Sequence, residues 1–501
     1  MRTWLRPSNL IAVICLIVGS LAETQWYDTA NGLHVPTQPN STAVGKSIVY
    51  RVKIRPDGNS TSWTDVPLYL TQAAEINATT GRSLKSPTQF GLFDYEGTVN
   101  VKIEPNPDTF PTISSVRVRP LSYGIDPVVS DGKIYFSLSQ PQRNVVVEVN
   151  GEVFNVLHLL TNELEKGPIT KETVADNSSV VYFGPGFHDL EQPISLTSGQ
   201  TLYLASGAYL QAPAATSISV QIHNAKGVNV RGRGFLRGAI NVQNSTNVEV
   251  DGGFASNGGF IIAQSTGVHV RGWKSITSHQ WGDGMDIYCS KDVLVEQVFF
   301  RTSDDCFAIY QHRDYFYGDS SNITLRDSSL WADVAHPINI GTHGNIVNPE
   351  TMDRVTLQNL DILDHREPQI DYEGCIALTV GDENLITNVL VDDVRVEDFR
   401  WGMLLSMRVV WNSKYNTGAG RGLKNVTVKG LVYNSSGKHT VNPALIQGYA
   451  EDRAVEFVDF QGLNINGLHV WDNMAKPSWY QTSDFVPMIV GSFVRNLTFS
   501  A

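Results

Sequence analysis

A short alternating phrase recurs through the C-terminal two-thirds of the chain. Each copy is a polar residue or glycine followed by an apolar–polar–apolar triplet, as in Thr246-Asn247-Val248-Glu249-Val250. The first apolar positions of the eight copies are Val228, Val248, Val268, Val293, Ile323, Val355, Val389 and Val426. They advance by 20, 20, 25, 30, 32, 34 and 37 residues. Alternation with a period of two predicts short strands, and a minimum period with growing insertions is typical of a solenoid whose loops emerge on one side.

Stacking such units places each strand parallel to its copies above and below. The pattern therefore predicts a right-handed parallel β-helix. An antiparallel sandwich whose strands resemble one another by chance is the alternative. Eight copies in order favour the β-helix.

The region before about residue 170 has no such repeat. Alternating strands are predicted at 48–54, 99–103 and 145–149. The turn-forming pairs that accompany them are Asp57-Gly58, Asp131-Gly132 and Asn150-Gly151. We therefore expect an all-β protein with a separate antiparallel β-sandwich over residues 23–165, a linker at 166–178 and the β-helix over 179–501.

The first 22 residues have the composition of a targeting segment. Arg2 and Arg6 precede or flank the start of an apolar stretch at 10–18, and Ser20-Leu21-Ala22 offers small residues at the positions a signal peptidase reads. The apolar stretch is too short to span a membrane, and no later segment reaches 18 uninterrupted apolar residues. We expect a signal peptide at residues 1–22 and a secreted, extracellular protein.

Nine Asn-X-Ser/Thr sequons agree with a secretory route. Their asparagines are Asn40, Asn59, Asn77, Asn177, Asn244, Asn322, Asn425, Asn434 and Asn496. Removal of the signal peptide takes Cys15 and leaves Cys289, Cys306 and Cys375. These three allow at most one intramolecular disulfide, whose pairing stays open.

Composition narrows the class of partner. The 501 residues carry a formal net charge of −12 at pH 7, with 42% hydrophobic and 18% charged residues. This balance is ordinary for a folded chain and excludes a largely disordered one. Because the chain has no basic stripe, we expect neither nucleic-acid binding nor binding to anionic membranes. We expect a monomer.

The densest acidic chemistry lies between the fourth and fifth copies of the repeat. Asp283 and Asp304 are 21 residues apart, close to the shortest period of the solenoid. They should therefore lie nearly above one another on neighbouring turns, with Asp305 alongside. Such a cluster suits hydrolysis of a glycosidic bond, because one carboxyl must protonate the leaving oxygen while others stay ionised and activate water. The alternative is that these residues mark turns, a common role of Asp.

The motifs around these residues resemble those of the polygalacturonases, pectin-lyase-fold enzymes of glycoside hydrolase family 28. That family carries Asn-Thr-Asp, Asp-Asp, Gly-His-Gly and Arg-Ile-Lys on successive turns. The first three correspond here to Gly282-Asp283-Gly284, Asp304-Asp305 and Ala335-His336-Pro337. The resemblance implies that Asp304 is the general acid, that Asp283 and Asp305 hold the water as bases, and that His336 supports the protonation state of the acid.

The fourth motif of that family is missing. On the turn after His336, residues 374–379 contain no cation, so a substrate carboxylate would find no charged partner there. Arg408, one turn later, is the candidate replacement for substrate binding. A structural role is the favoured alternative for Arg408.

A second resemblance is to glycoside hydrolase family 49, the dextranases and isopullulanases. Members join an N-terminal β-sandwich to the same β-helix and act on α-glucans by inversion. The segments that carry the resemblance are 116–121, 282–310 and 321–331, whereas His336 departs from that family. Together the two resemblances imply a secreted, inverting hydrolase of a polysaccharide that needs no cofactor. An α-glucan is the expected substrate, and a pectin is the alternative.

Aromatic side chains near the carboxylates are expected to stack on the apolar faces of sugar rings. We select Trp281, Tyr310 and Trp331 as substrate-binding residues, with packing in the core as the alternative for each. A metal pair of His336 and His343 is conceivable from spacing. No third ligand is evident in the sequence, so we expect no metal site.

Two other functions are compatible with a β-helix. A calcium-dependent polysaccharide lyase would bind Ca²⁺ with Asp283, Asp304 and Asp305, but no Arg or Lys lies in register to abstract the proton. A noncatalytic carbohydrate-binding solenoid would explain the aromatic residues and secretion. It would leave the carboxylates without a purpose.

Overall fold

The fold is described by a computed structural model over residues 32–36, 45–58, 62–76, 83–174 and 177–501. The expected signal peptide at 1–22 and the sequons at Asn40, Asn59 and Asn77 lie outside these residues. The described chain is built almost wholly of strands. It contains no helix that is long and apolar enough to cross a membrane.

The N-terminal part consists of two sheets. Its strands are β1 Leu33–His34, β2 Tyr50–Pro56, β3 Thr64–Val66, β4 Leu68–Ile76, β5 Ser83–Tyr95, β6 Val99–Pro105, β7 Val116–Arg119, β8 Val128–Ser130, β9 Lys133–Leu138, β10 Val145–Val149 and β11 Leu157–Asn162. One sheet, in the order β3-β2-β6-β9-β8, is antiparallel throughout. The other, β1-β5-β11-β10-β7 with β4 beside β5, contains one parallel pair, β11 with β5.

The predicted β-sandwich is thus confirmed, but it is not wholly antiparallel. Strands β6 to β10 lie between β5 and β11 along the chain, which gives the long connection that parallel neighbours need. Alternate side chains point into a core between the two sheets. Val52, Val101, Phe93 and Val147 are buried there.

The C-terminal part is a parallel β-helix, as predicted. The short helix α1 Lys171–Val174 precedes it, and single turns of 3₁₀ helix lie at Leu121–Tyr123 and Thr482–Phe485. Its strands up to Tyr310 are β12 Val180–Phe183, β13 Gly186–Asp189, β14 Ile194–Leu196, β15 Thr201–Leu204, β16 Ala208–Gln211, β17 Ile218–His223, β18 Lys226–Gly232, β19 Phe235–Arg237, β20 Ala239–Gln243, β21 Thr246–Asp251, β22 Phe254–Ser256, β23 Phe260–Ala263, β24 Thr266–Arg271, β25 Lys274–Ile276, β26 Met285–Tyr288, β27 Lys291–Glu296, β28 Phe299–Thr302 and β29 Phe307–Tyr310.

The remaining strands complete the solenoid. They are β30 Ser320–Ala332, β31 Ile338–Ile340, β32 Thr351–Asp364, β33 Ile376–Val380, β34 Leu385–Val396, β35 Trp401–Met403, β36 Leu405–Val409, β37 Gly422–Lys429, β38 Val432–Tyr433, β39 Thr440–Asn442, β40 Ala444–Gln447, β41 Val455–Gln461, β42 Leu463–Ile465, β43 Leu468–Val470, β44 Met488–Val490 and β45 Val494–Ser500. Two sheets dominate: a 21-stranded sheet, and an 11-stranded sheet in the order β14-β17-β20-β23-β26-β29-β31-β33-β36-β40-β44. The apolar core runs between them.

The repeat found in the sequence sets the register of the long sheet. Each first apolar position pairs with the next one, from Val228 with Val248 to Val389 with Val426. The residue before it takes a left-handed conformation, as at Asn247 with φ 54°. Glycine, Asn and Asp tolerate that conformation best, which explains the polar residue or glycine that opens most copies of the phrase.

The sandwich packs against the outer face of the long sheet through a set of aromatic rings. The set comprises Tyr69, Phe90, Tyr209, Phe235, Phe254, Phe299 and Trp331. Phe90 of the sandwich stacks on Phe254 of the β-helix, with ring centroids 4.2 Å apart. A buried ion pair accompanies this contact, since Arg119 Nε donates to Glu397 at 2.6 Å.

Trp331 belongs to this interface and not to a substrate cleft. Its side chain is fully buried, and its Nε1 donates to Asp333 Oδ1 at 3.0 Å. The guanidinium carbons of Arg119 and Arg301 lie 4.8 Å and 4.2 Å from its ring centroid. The expectation that Trp331 binds substrate is therefore wrong. Strand β30 presents this residue to the sandwich, a partner distant in sequence.

The three cysteines of the β-helix, Cys289, Cys306 and Cys375, are buried free thiols. The disulfide that the sequence left open therefore does not form among them. The described part of the β-helix is held by packing and hydrogen bonds.

Candidate active site

Two neighbouring turns bring the predicted carboxylates together. Met285 in β26 pairs with Phe307 in β29, so Asp283 and Asp305, each two residues upstream, occupy equivalent positions on successive turns. One carboxylate oxygen from each of Asp283, Asp304 and Asp305 lies within 4.8 Å of the other two. Asp305, rather than Asp304, is thus the partner in register with Asp283, and Asp304 lies beside it.

Glycines allow the first turn to pack closely against the second. A Cβ atom on Gly282 would approach Ser303 Oγ to 2.1 Å, and one on Gly284 would approach the carbonyl oxygen of Cys306 to 2.5 Å. The backbone nitrogen of Gly284 donates to the carbonyl of Asp305 at 2.8 Å. Larger residues would push Asp283 away from its partners, which explains the glycine on each side of it.

Asp305 is enclosed by hydrogen-bond donors. Its Oδ1 accepts from the backbone nitrogen and Nδ1 of His336 at 3.1 Å and 2.7 Å. Its Oδ2 accepts from Tyr310 Oη and Asn339 Nδ2, each at 2.7 Å. Burial opposes ionisation, but the charge of His336 and these donors hold the pKa of Asp305 below its ordinary value. Asp305 is therefore a buried carboxylate whose lone pairs are largely occupied.

His336 is the cation that balances this charge. Its Nδ1 faces Asp305 Oδ1, and its Nε2 lies 2.5 Å from the carbonyl oxygen of Tyr372. Because both ring nitrogens face acceptors, both must carry a proton, which is the imidazolium form. Burial disfavours the charge, yet Asp305 and the Tyr372 carbonyl raise the pKa of His336 above its ordinary value. The pair therefore keeps Asp305 ionised on the second turn.

Asp304 and Asp283, in contrast to Asp305, favour the protonated form. Both side chains are partly exposed at the surface of the cluster. Burial and the neighbouring charge of Asp305 raise the pKa of Asp304 to about 8. Burial, together with Asp286 and Asp304, raises the pKa of Asp283 well above its ordinary value. Carboxyls this close cannot all ionise, so they titrate as a coupled group in which Asp305 holds the charge and its neighbours share protons.

Two side chains of the site escaped the sequence analysis. Asn339 completes the donor set of Asp305. Asp286 is buried, accepts from Tyr288 Oη at 3.0 Å, and has an Oδ1 with no hydrogen-bond partner among the described residues. Burial raises the pKa of Asp286 to about 7. Asp286 and Asn339 are each the second residue of a strand, β26 and β31. The alternation of side chains along these strands could have placed both residues on the outer face of the sheet.

The predicted substrate-binding residues Trp281 and Tyr310 have different environments. Trp281 is 75% exposed on the turn that carries Asp283, which leaves its ring available to a ligand. Tyr310 is 6% exposed, and its hydroxyl donates a hydrogen bond to Asp305. Tyr310 therefore positions a carboxylate, which corrects the expectation that it stacks on a sugar.

Arg408 lies on the same outer face as the cluster, three strands further along the sheet. At the usual strand spacing this is roughly 14 Å away. Its Nη2 donates to the carbonyl of Asp371 at 2.7 Å, and its Nε donates to Ser406 Oγ at 3.1 Å. Because Arg408 is buried and engaged, it does not replace the missing cationic motif. The structural role is the correct alternative.

The carboxylate cluster is also the place where a cation would have to bind. Among the described residues, Asp283, Asp304 and Asp305 are the group whose ligand atoms lie close enough together to hold a metal. Both oxygens of Asp305 already accept two hydrogen bonds. This donor set fits proton sharing better than coordination of a hard cation, which needs free oxygen lone pairs. His343, whose spacing from His336 made a metal pair conceivable, packs edge-on against Tyr310, with ring centroids 4.9 Å apart.

The protein thus consists of a β-sandwich joined to a parallel β-helix, with a cluster of carboxylates from successive turns beside the 11-stranded sheet. Dex49A from Penicillium minioluteum is similar in fold, with a TM-score of 0.54, 14% identity, and coverage of 93% of this chain and 96% of that chain. The family 28 exopolygalacturonase of Yersinia enterocolitica matches with a TM-score of 0.45, 12% identity, and coverage of 80% and 96%. The catalytic domain of a GH87 alpha-1,3-glucanase matches with a TM-score of 0.38, 13% identity, and coverage of 94% and 88%.

No protein-family model matches the chain, and no curated protein matches it by sequence. The structural likeness therefore concerns the fold, and the predicted pectin-lyase fold is confirmed. The chemistry has to be argued from the site itself.

Proposed function

We propose that this protein is a secreted, inverting glycoside hydrolase that cleaves a neutral polysaccharide, an α-glucan. The observation that supports this most is the division of protonation between adjacent residues. Asp304 lies next to solvent and has a pKa raised to about 8, so it is protonated at neutral pH, whereas Asp305 is a buried, ionised carboxylate. Hydrolysis of a glycosidic bond needs such an acid for the leaving oxygen and a fixed negative charge beside the oxocarbenium-like transition state.

The proposed reaction uses each carboxyl once. Asp304 gives its proton to the glycosidic oxygen as the bond from that oxygen to the anomeric carbon breaks. Asp283 takes a proton from a water molecule whose oxygen forms the new bond to the anomeric carbon. Asp305, which is paired with His336, stays ionised, and its charge adds to the effect of burial that keeps the proton on Asp304. The products are two hydroxyl-terminated sugars, and a proton returns from Asp283 to Asp304 through solvent.

Inversion is favoured because the stabilised carboxylate cannot reach the substrate. A retaining enzyme needs an ionised nucleophile against the anomeric carbon, but Asp305 is 1% exposed and accepts four hydrogen bonds. The nearest oxygens of the cluster lie within 4.8 Å, shorter than the roughly 5–5.5 Å of retaining and 6.5–9.5 Å of inverting pairs. Burial therefore excludes Asp305 as the nucleophile, and the proposal of inversion gives Asp283 the role of the base that activates water. Proton NMR of the first product tests it, and release of the substrate's own anomer would contradict inversion.

A neutral substrate is favoured by the charges beside the cluster. Arg408 is committed to Asp371 and Ser406. Ala308 and Ala377, which share the outer face with the site, carry no charge. A polymer with a carboxylate on every sugar would meet buried Asp residues without a matching set of cations.

An acidic pectin is the second candidate, and Arg313 favours it. This residue is exposed, and its charge opposes the rise that burial causes in the pKa of Asp286. Its charge therefore acts on the cluster and would attract a uronate that approaches it. If pectin is the substrate, Arg313→Ala should raise KM for polygalacturonate. If a glucan is the substrate, the same substitution should change KM little.

The central experiment measures reducing ends released from dextran, pullulan, polygalacturonate and xylogalacturonan. Wild type is compared with Asp304→Asn and with Asp108→Asn, a matched substitution at an exposed Asp of the sandwich. We expect product from a glucan, loss of at least about 10²-fold in Asp304→Asn, and full activity in Asp108→Asn. Full activity in Asp304→Asn would overturn the proposal. Unsaturated products would indicate the lyase, and binding without products would indicate the noncatalytic solenoid.

Secretion is part of the proposal and has its own support. The asparagines of the six sequons in the described residues, Asn177, Asn244, Asn322, Asn425, Asn434 and Asn496, are all exposed. Expression in a eukaryotic host should give a glycosylated protein in the medium. Its N-terminal sequence should begin near Glu23. Retention of the intact leader inside the cell would contradict secretion.

A further inference from the structure

The segment that follows Tyr310 lies across the outer face of the 11-stranded sheet. This segment, residues 311–319, separates β29 from β30. Its Phe316 is 3% exposed and packs with Ala263, Tyr288 and Tyr310, which come from three successive strands of the sheet. The ring centroids of Phe316 and Tyr288 are 6.1 Å apart. Phe316 thus covers the ends of these three strands, two of which belong to the turns that carry the carboxylates.

Hydrogen bonds also hold this segment to strands that lie further from the carboxylates. Tyr315 Oη donates to Gln243 Oε1 at 3.3 Å, and Gln264 Nε2 donates to the carbonyl of Tyr317 at 2.8 Å. Gln243 ends β20, which lies three strands before β29 in the sheet. At the usual strand spacing the segment therefore reaches roughly 14 Å along the axis of the solenoid. A polysaccharide lying along this face would meet Tyr315, which is 68% exposed beside the buried Phe316.

Two loops cover the sheet on the C-terminal side of the carboxylates. They comprise residues 366–373 and 411–418. Tyr415 stacks on Tyr372 across them, with ring centroids 4.0 Å apart and planes inclined by 18°. Ala377, on the outer face of β33, is fully buried although its side chain points away from the core of the solenoid.

Hydrogen bonds tie these loops to each other and to the wall of the site. Tyr415 Oη donates to Gln369 Oε1 at 2.9 Å, and Asn412 Nδ2 donates to the carbonyl of Asp371 at 3.3 Å. Tyr372 in turn contacts His336, with ring centroids 4.4 Å apart. The loops therefore form part of the wall of the site.

The exposed part of the site lies between the segment 311–319 on one side and the loops 366–373 and 411–418 on the other. Asp283 and Asp304 are partly exposed, and Trp281 is exposed beside them. A groove for the middle of a polymer needs free sheet on both sides of the scissile bond. This site has protein on both sides and an opening at the catalytic turn.

We propose that the site is a pocket that admits a chain end, so that the enzyme acts in the exo mode and releases one short product. Residues 311–319 set the limit on one side, and the loops 366–373 and 411–418 set it on the other. This inference rests on the proposed glycosidase function and adds the mode of attack. A side chain that stops the substrate determines product length, because sugars beyond it have no place to bind.

The first test follows products and viscosity during hydrolysis of the glucan that the panel identifies. An exo-acting enzyme should release a single short sugar from the first turnovers, with little loss of viscosity for the bonds cleaved. A ladder of oligosaccharides with an early loss of viscosity would overturn the proposal. The double variant Tyr315→Ala, Phe316→Ala should shift the products toward longer sugars. Trp479→Ala is the control, because this aromatic residue is 80% exposed and lies outside both covers.

The second test does not depend on turnover. Calorimetry with the Asp304→Asn protein compares a linear α-glucan oligosaccharide with a cyclic α-glucan of the same number of sugars. A pocket should bind the linear sugar and lose binding of the cyclic one, which has no end to insert. Equal binding of both would overturn the exo mode while leaving hydrolysis intact. Absence of both cleavage and binding for every glucan would instead overturn the proposed function, and with it the substrate of this inference.

Discussion

His336 Nδ1 lies 2.7 Å from Asp305 Oδ1, and both side chains are only 1% exposed. The two residues belong to successive turns of the β-helix, since Phe307 pairs with Ile338 two residues downstream of each. This contact keeps a carboxylate ionised in the interior at a position where burial alone would neutralise it. Burial, and after it the charge of Asp305, raise the pKa of Asp304 against the opposing charge of His336, so a proton is available beside solvent.

The pH dependence of activity should follow from that proton. Asp304 must be protonated and Asp283 ionised in the reactive form. Activity should therefore fall as pH rises through about 8, where Asp304 loses its proton. It should also fall on the acid side, at a pH above that of an ordinary carboxyl, because the pKa of Asp283 is raised. The measurement is kcat/KM against pH. An alkaline limb below pH 5 would show that Asp304 is not the acid.

Asp304→Asn should stabilise the fold while it removes activity. The pKa of Asp304 rises from 3.8 to about 8 on folding, so its charged form costs stability as pH increases between these values. The amide carries no such cost. The stability gained over wild type should thus grow from about pH 4 to pH 8, by at most ~1.4 kcal/mol for each pH unit. Chemical unfolding at several pH values checks this. Asp108→Asn should show no such gain, and a pH-independent difference would contradict the argument.

His336→Gln should destabilise the protein by about 3–5 kcal/mol, because it leaves Asp305 buried without its cation. The sign of the pH effect follows from both pKa shifts. The pKa of His336 is raised from 6.5, so its contribution is full below that pH and is lost as pH rises through the raised value. The pKa of Asp305 is lowered from 3.8, so its contribution is lost in acid. The loss in the variant should be largest between about pH 4 and 6.5. His469→Gln, at an exposed His, should change little.

Tyr310→Phe removes one donor from Asp305 and leaves the ring in place. The buried Oδ2 then keeps only Asn339, so we expect a loss of ~1–3 kcal/mol in the free energy of unfolding. The pKa of Asp305 should rise, so the stability that its ionised form contributes should be lost at a higher pH on acidification than in wild type. Tyr317→Phe is the matched control, because that side chain is 64% exposed. Equal effects of the two substitutions would argue against a positioning role for Tyr310.

Trp281→Ala and Trp331→Ala should have opposite consequences. Trp331 is fully buried between the sandwich and the β-helix, so its truncation should cost about 3–5 kcal/mol of stability. Its KM, measured where the variant is folded, should not change. Trp281 is 75% exposed, so its truncation should leave the unfolding curve unchanged and raise KM. A rise in KM for Trp331→Ala alone would contradict both placements.

Much of the architecture follows from local alternation along the chain. The positions Val228 and Val248 pair in register because each turn closes through the same left-handed step and the same apolar triplet. Insertions lengthen loops without disturbing that ladder. For the same reason Asp283 and Asp305 meet, since each lies a fixed two residues before a strand. Short-range patterns are visible in one sequence because neighbouring residues alone decide them.

Unlike the alternation along each strand, the burial of residues on the outer faces of the sheets cannot be read from neighbouring positions in the sequence. Trp331, Tyr310 and Arg408 look alike in the sequence as large residues close to strands that line a possible cleft. The sandwich covers the first, the donor set of Asp305 encloses the second, and Asp371 holds the third. The covering segments are brought there only by the folded chain. The solenoid, its register and the meeting of the carboxylates thus follow from local patterns in the sequence. Tertiary structure alone decided which faces meet solvent, because exposure depends on contacts between segments far apart in the chain.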